Sequence, residues 1–265
     1  MAELILKSLY RYPVKSLRGG GFDTLEVDGR GLCFDRHWMV VDAQGQFVTQ
    51  RQQARMALID TRVDDDGGLL LQAPGMPDLM VRGAQGASLP VVVWRDKVHA
   101  IPVGGDADAW LSEFLAIDCR LVVFPYDARR AVDPDYAAAT DQVGFADGFP
   151  FLLISQASLD DLNARLAQPV PMLRFRPNLV VEGCTAYAED GWRRIRIGEL
   201  EFRVAKPCSR CIIPTIDPAT AQRSAEPLRT LMSYRRRDNR IYFGQNLIHD
   251  GTGRLAVGMP VEVLE

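Results

Sequence analysis

The sequence predicts a β-rich α+β fold. Three observations carry that prediction: short runs of Val, Ile, Leu and aromatic residues set off by turn residues, three amphipathic stretches of helical period, and no alternating strand–helix–strand pattern. In the first half the runs are LILKSLY (4–10), HWMVVD (37–42), ALIDTRV (57–63), GLLLQA (68–73), LPVVVW (89–94), KVHAIPV (97–103) and RLVVF (120–124). Turn chemistry at Asp42–Gly45, Asp64–Gly68 and Arg95-Asp96 separates them. The second half adds FLLIS (151–155), NLVVEG (178–183), RRIRIGELEFRVA (193–205), RIYFGQNL (240–247) and RLAVGMPVEVL (254–264). Ile195 and Ile197 alternate before Gly198-Glu199, and Leu200, Phe202 and Val204 alternate after it, which predicts a hairpin with one solvated face.

The first helical stretch, GDADAWLSEFLAI, places Ala107, Trp110, Leu111, Phe114 and Leu115 on one stripe. The second, SLDDLNARLAQ, opens on the S-x-x-D signal of Ser158 and Asp161 and aligns Leu159, Leu162 and Leu166. The third, EPLRTLMSYRRR, enters at Pro227 and packs Leu228, Leu231 and Met232, leaving Arg229, Arg235, Arg236 and Arg237 to solvent. Residues 125–148 are polar, carry Pro and Gly, and show no period; they divide the chain into expected domains 1–125 and 126–265.

With 47% hydrophobic and 25% charged residues, the 265-residue chain has the balance of a soluble globular protein. Its net charge of -3 excludes a broad nucleic-acid-binding surface, so any anion site must be built locally from a few placed cations. No run approaches the roughly 20 apolar residues of a membrane span, and Pro13 soon interrupts the N-terminal MAELILKSLYRYPVKS, so no export signal and no membrane partner are expected. The five cysteines are expected as free thiols in the cytoplasm.

Cys208 and Cys211 stand in KPCSRCIIPTIDP as a C-x-x-C pair. A structural zinc site needs four ligands; there is no second pair, and His37, His99 and His249 are widely separated. A redox dithiol usually opens a helix, whereas Ile212, Ile213, Pro214 and Pro218 make a poor helix start. Two readings stay open on spacing alone: buried structural thiols, and one thiolate offered to a soft metal. Lys206 and Arg210 close by favour a thiolate.

Several segments, in order and spacing, resemble one family: YPVKS (12–16), DRHWMVVD (35–42), VTQRQ (48–52), FLLISQASLDDLN (151–163), FRPNLVV (175–181), CSRCIIPTIDPAT (208–220), EPLRTLMSYRR (226–236) and FGQNL (243–247). The chain resembles, nearly end to end, MOSC-domain proteins, in particular the mitochondrial amidoxime-reducing component and its bacterial relatives. The resemblance implies an N-terminal β-rich domain, whose first strands help complete the site, and a MOSC β-barrel with a few flanking helices. It also implies a mononuclear molybdenum held by molybdopterin and one protein cysteine, which corresponds to Cys211; Cys208 has no firm role.

On the same resemblance Lys15, Ser16, Arg36, Arg176 and Asn178 contact the cofactor, as suits a phosphate and a polar pterin edge. Ser155, Gln156 and Ala157 contribute from the start of the second helix, Ser209 and Arg210 flank the metal thiolate, and Asn246 faces the cofactor. Asp217 is the candidate nearby acid. Lys15, Arg36 and Arg176 are expected to serve the cofactor and not the fold.

The implied activity is reduction of N-hydroxylated compounds (amidoximes, hydroxylamines, N-hydroxylated bases) by oxygen-atom abstraction. The alternative is a carrier or sulfur-delivery module, as in the C-terminal part of molybdenum-cofactor sulfurases; their pyridoxal-phosphate half has no counterpart here, so no pyridoxal phosphate is expected. No zinc is expected, no iron–sulfur cluster because no cysteine follows Cys211, and no flavin because no G-x-G-x-x-G follows a strand. Electrons are therefore expected from a separate donor of ferredoxin, flavin or cytochrome type with its reductase, docking against the arginine-rich stretch 226–237.

Overall fold

Nine strands form the largest sheet of the computed structural model, which describes residues 3–265. Its order runs Val261–Val263, Arg194–Ile197, Leu200–Ser209, Arg240–Asp250, Phe151–Ser155, Leu179–Glu182, Ile5–Arg11 and Gly20–Phe22, with Arg236–Arg237 paired to the start of Arg240–Asp250. Backbone bonds from Leu6 N to Met259 O (2.9 Å) and from Val261 N to Leu4 O (2.8 Å) join the Val261–Val263 end to Ile5–Arg11, so the sheet closes as a barrel with Gly20–Phe22 as an outer strand. Closure leaves the strands no long free edge, and the inward side chains fill the interior. Leu6, Leu9, Phe151, Leu153, Leu179 and Phe202 are each at most 1% exposed there. The fold is β-rich α+β with three α-helices.

The alternation read from 193–205 is a hairpin of Arg194–Ile197 and Leu200–Ser209, with Ile195 and Ile197 fully buried between half-open arginines. All barrel pairings are antiparallel except Phe151–Ser155 with Leu179–Glu182. Helix α2 (Gln156–Arg165) connects that parallel pair, a single strand–helix–strand crossover that the sequence pattern did not expose. It starts earlier than the Ser158 signal indicated. Ser155 is its cap, accepting from the Ser158 amide, and the Ser158 hydroxyl is turned inward to Glu189.

A four-stranded sheet of Trp38–Asp42, Cys119–Val123, Asp96–Pro102 and Leu89–Val93 lies outside the barrel. Helix α1 (Gly105–Leu115) packs with it, and all five residues of the predicted stripe are buried. Two three-stranded sheets complete the fold: Asp60–Val63, Leu69–Gln72 and Leu79–Val81, and then Gly253–Ala256, Thr24–Asp28 and Gly31–Leu32. The run 254–264 is thus two strands in different sheets, split by a turn through Gly258 at φ +88. Sheet membership also crosses the 125/126 division, because Ile5–Arg11 lies inside the barrel between Leu179–Glu182 and Gly20–Phe22.

Helix α3 (Leu228–Tyr234) is shorter than the 226–237 stretch suggested. Leu231 is buried, but Met232 is 46% exposed. Arg235 is not a solvent-side residue: it pairs with Asp190 at 2.7 Å and lies over the Tyr187 ring. Arg236 and Arg237 leave the helix for a short strand. Among the described residues, no helix is long and apolar enough to cross a membrane.

Candidate functional site

The strand Leu200–Ser209 loses register with Arg240–Asp250 twice, between Val204 and Lys206 and between Pro207 and Ser209. Pro207 has no amide to donate, and such bulges bend a strand and re-aim its side chains. Here the bend delivers Cys208, Ser209, Arg210 and Cys211 to a cleft beside the barrel. The wide limb of the cleft holds about 1010 Å³; a narrow limb of about 140 Å³ runs inward toward Lys15, Arg36 and Arg176.

Each thiol meets its own arginine. Arg51 Nη2 donates to Cys211 Sγ at 3.4 Å, and Arg210 Nη1 donates to Cys208 Sγ at 3.2 Å. Both contacts fix where the sulfur sits in the cleft. Arg210 is fixed by Nη2 to the Phe175 carbonyl at 2.7 Å, while its buried Nε has no partner. Arg51 lies 4.6 Å from the Trp94 ring centroid and 3.7 Å from the Asp147 carboxylate.

The narrow limb is walled by strained backbone. Ser16 (φ 67), Arg36 (φ 48) and Arg176 (φ 57) all adopt the left-handed conformation, which costs a non-glycine residue about 1–2 kcal/mol. Three such residues at one cleft mark a place where position was favoured over local comfort. Arg36 and Arg176 both lie against the Tyr12 ring, at 4.4 and 4.3 Å. Arg36 pairs with buried Asp35, and its other contacts are Asn178 Oδ1 at 3.1 Å and the Arg176 carbonyl at 3.2 Å. Burial, with Arg36 nearby, lowers the pKa of Arg176 to about 10.

Lys15 is 4% exposed; it donates to the Phe145 carbonyl at 2.8 Å and pairs with Asp147. Burial pulls its pKa down to about 8, against the pull of Asp147. Withdrawal from water opposes ionisation of Asp147, yet Lys15, Arg51 and the Trp94 indole (3.1 Å) hold its carboxyl below the usual range. Asp147 stands at the open rim where the two limbs join.

Of the residues the sequence pointed to, Lys15, Ser16, Arg36, Arg176, Asn178, Ser209, Arg210, Cys211 and Asn246 line the narrow limb. Asn178 is 2% exposed and its amide is already committed, to Arg36, the Leu152 amide and the Tyr10 carbonyl. Ser155, Gln156 and Ala157 do not line the cleft. Phe151 and Leu152 reach it, but Ser155 lies about 10 Å further along the same strand at roughly 3.3 Å per residue. Its hydroxyl caps α2, and Gln156 bonds Asp160. Asp217 is also outside the cleft lining: it accepts from Arg174 at 2.7 Å and from the Ala219 amide at 2.8 Å. Burial pushes its pKa up, but the Ala219 and Thr220 amides and Arg174 together hold it below the usual carboxylate range.

Arg51, Trp94, Asp147 and Phe149 line the cleft without having been singled out. Arg51 stands in the quoted VTQRQ segment, where a cation among polar residues offered a signal. Trp94 closes an apolar run and Asp147 lies in the irregular 125–148 stretch, and neither gave a signal.

A family model described as the MOSC N-terminal beta barrel domain matches residues 3–118, and one described as the MOSC domain matches residues 140–262. The protein is thus of the MOSC class. It is 38% identical over 97% of its length to "Mitochondrial amidoxime-reducing component 1" of Mus musculus, covering 81% of that protein. The Homo sapiens protein of the same name is also 38% identical, with 97% of this chain and 82% of that one aligned. The chain belongs to this family of MOSC-domain proteins. A "Molybdenum cofactor sulfurase" of Oryza sativa subsp. japonica is 31% identical over 92% of this chain, which matches 32% of that longer protein.

Proposed function

We propose that this protein holds a molybdenum cofactor through Cys211 and reduces N-hydroxylated compounds such as amidoximes, hydroxylamines and N-hydroxylated bases. The observation that carries the reading is a thiol and an inward file of cations, Lys15, Arg36 and Arg176, on one cleft of a chain whose net charge is negative. The names of the animal relatives support it.

The residues suit that cofactor. Among the described residues no group of three or more His, Cys, Asp or Glu gathers to hold a metal, so a metal at Cys211 needs most of its ligands from an organic partner. Such a partner with a phosphate and a polar ring edge finds cations at Lys15, Arg36 and Arg176. Arg210 also offers a buried Nε with no protein partner. When bound, the group supplies two-electron oxygen-transfer chemistry.

The chain's own part is to hold and orient. Cys211 offers the thiolate, Arg51 fixes that sulfur by a hydrogen bond, and Arg210 braces the strand end against Phe175. Ser209 is exposed at the rim, and Asn246, anchored to the Lys206 carbonyl at 3.4 Å, faces the cleft between the limbs. Electrons come from a separate donor of ferredoxin, flavin or cytochrome type with its reductase. The five free thiols suit a reducing compartment, and the cytoplasm is the location proposed.

The similarity to the rice sulfurase supports a second reading, a cofactor carrier without its own turnover. One experiment separates the two: molybdenum and pterin are measured per chain, then benzamidoxime is supplied with a chemical reductant. Bound metal with turnover supports the reductase, bound metal without turnover supports the carrier, and protein that never takes up molybdenum sinks both.

A further inference from the structure

The wide limb of the cleft carries a surplus of positive charge. Each acid that lines it is already matched: Asp96 by Arg130 at 2.7 Å, Asp133 by Lys206 at 3.2 Å and Asp147 by Arg51 at 3.7 Å. Arg210 is taken by Cys208 and Phe175. That leaves Arg95, Lys97 and Arg129, all exposed and all on the lining, with no ion-pair or hydrogen-bond partner among the described residues. Arg95 and Lys97 sit at the tip of the hairpin Leu89–Val93/Asp96–Pro102, directly after Trp94.

Trp94 makes this a wall rather than scattered surface charge. It is held at φ 58, 44% exposed, with its indole tied to Asp147 and Arg51 on its ring. That ties the hairpin tip to the rim of the thiol site. The limb's volume, about 1010 Å³, is at the upper end of the range of small-molecule sites.

We propose that Arg95, Lys97 and Arg129 form a subsite for a carboxylate or phosphate group of the substrate, so that the preferred substrates are N-hydroxylated compounds bearing an anionic group away from the reducible nitrogen. This rests on the reductase reading for its reaction, but not for its binding. Three exposed charges acting together in a cleft support on the order of a tenfold preference at low salt.

The test compares benzamidoxime with its 4-carboxy and 4-phosphonooxy derivatives, using a chemical reductant in place of a protein donor. The wild type should show a KM about tenfold lower for an anionic compound, with the gap closing as salt rises. The triple variant R95Q/K97Q/R129Q should raise that KM about tenfold while moving the neutral compound's by less than twofold. The better of the two anions tells carboxylate from phosphate. Equal KM values in the wild type overturn the proposal, as does a variant that loses both substrates in parallel. It is also overturned by a variant that is slow only when a protein donor supplies the electrons, which would assign the wall to that donor. Calorimetric binding of 4-carboxybenzamidoxime reads the subsite even where nothing is turned over: tenfold weaker binding to the variant supports it, and equal binding overturns it.

Discussion

Arg51 Nη2 lies 3.4 Å from Cys211 Sγ, although 160 residues separate the two in sequence. The same guanidinium rests on Trp94 and faces Asp147. It joins the outer sheet's rim to the thiol at the barrel strand's end. Partners of this kind typically carry ten- to hundredfold effects on metal affinity or activity. Arg51→Met should therefore lower molybdenum per chain or turnover by about tenfold, measured by metal analysis beside the reductant-driven assay. A variant equal to wild type in both would remove Arg51 from the site.

Cys211→Ser should lose both metal and turnover, while Cys208→Ser keeps them. Cys208 has its own arginine, but Cys211 shares Arg51 with the Trp94–Asp147 rim. Metal analysis of the two variants decides; a dead Cys208→Ser beside a live Cys211→Ser would reverse the assignment.

Arg36 does more than line the cleft. It pairs with Asp35, whose side chain is 4% exposed and accepts from the Tyr12 amide at 2.8 Å. Removing one partner of a buried pair leaves an uncompensated charge, at about 3–5 kcal/mol. Arg36→Ala should lower the apo-protein's unfolding free energy by an amount of that order, read from a urea titration. Lys15 and Arg176 also hold backbone carbonyls, at Phe145 and Leu17, so the expectation that these cations serve only a cofactor does not survive the geometry.

Lys15 gives a pH dependence of definite sign. Its folded pKa is about 8 against 10.5 for a free lysine. Between those values the folded chain binds fewer protons than the unfolded chain, so this group's contribution makes stability rise with pH across that window. Below pH 8 both states are protonated and the slope vanishes. The positive charge offered to an anion fades over the same window. Melting temperatures from pH 7 to 10.5 should show this rise in wild type and lack it in Lys15→Met.

Gly244 sits at φ +82 in the FGQNL segment, two residues before Asn246. A Cβ there would stand 2.8 Å from the Leu153 carbonyl oxygen and 2.6 Å from Ile154 Cγ1. Gly244→Ala should cost about 2 kcal/mol or more in denaturant unfolding. An unchanged midpoint would contradict the packing.

Periodicity made α1 and the 193–205 hairpin legible, because their apolar residues meet one core at fixed spacing. It failed for 254–264, where two strands of different sheets abut across a turn and read as one run. The lining of the candidate cleft was legible where cations or sulfur stood in distinctive segments, as with Lys15, Arg36 and Cys211. Ser155 misled because a helix-capping serine and a ligand-binding serine look alike in sequence; only the fold places it about 10 Å along the strand. Asp147 and Trp94 were silent because their roles come from partners far away in the chain.

The barrel closes through Leu4–Leu6 against residues 258–261, and Ile5–Arg11 pairs with Leu179–Glu182. On a ribosome adding roughly 5–20 residues per second, the first strand therefore leaves the exit tunnel about 10–30 s before its 179–182 neighbour exists. Until then only its Gly20–Phe22 edge can pair, and the opposite edge stays open to other strands and to chaperones. The cleft is finished later still, since Asn246 follows the thiol pair in the chain. Nascent chains arrested before residue 246 should therefore bind no ligand in this pocket.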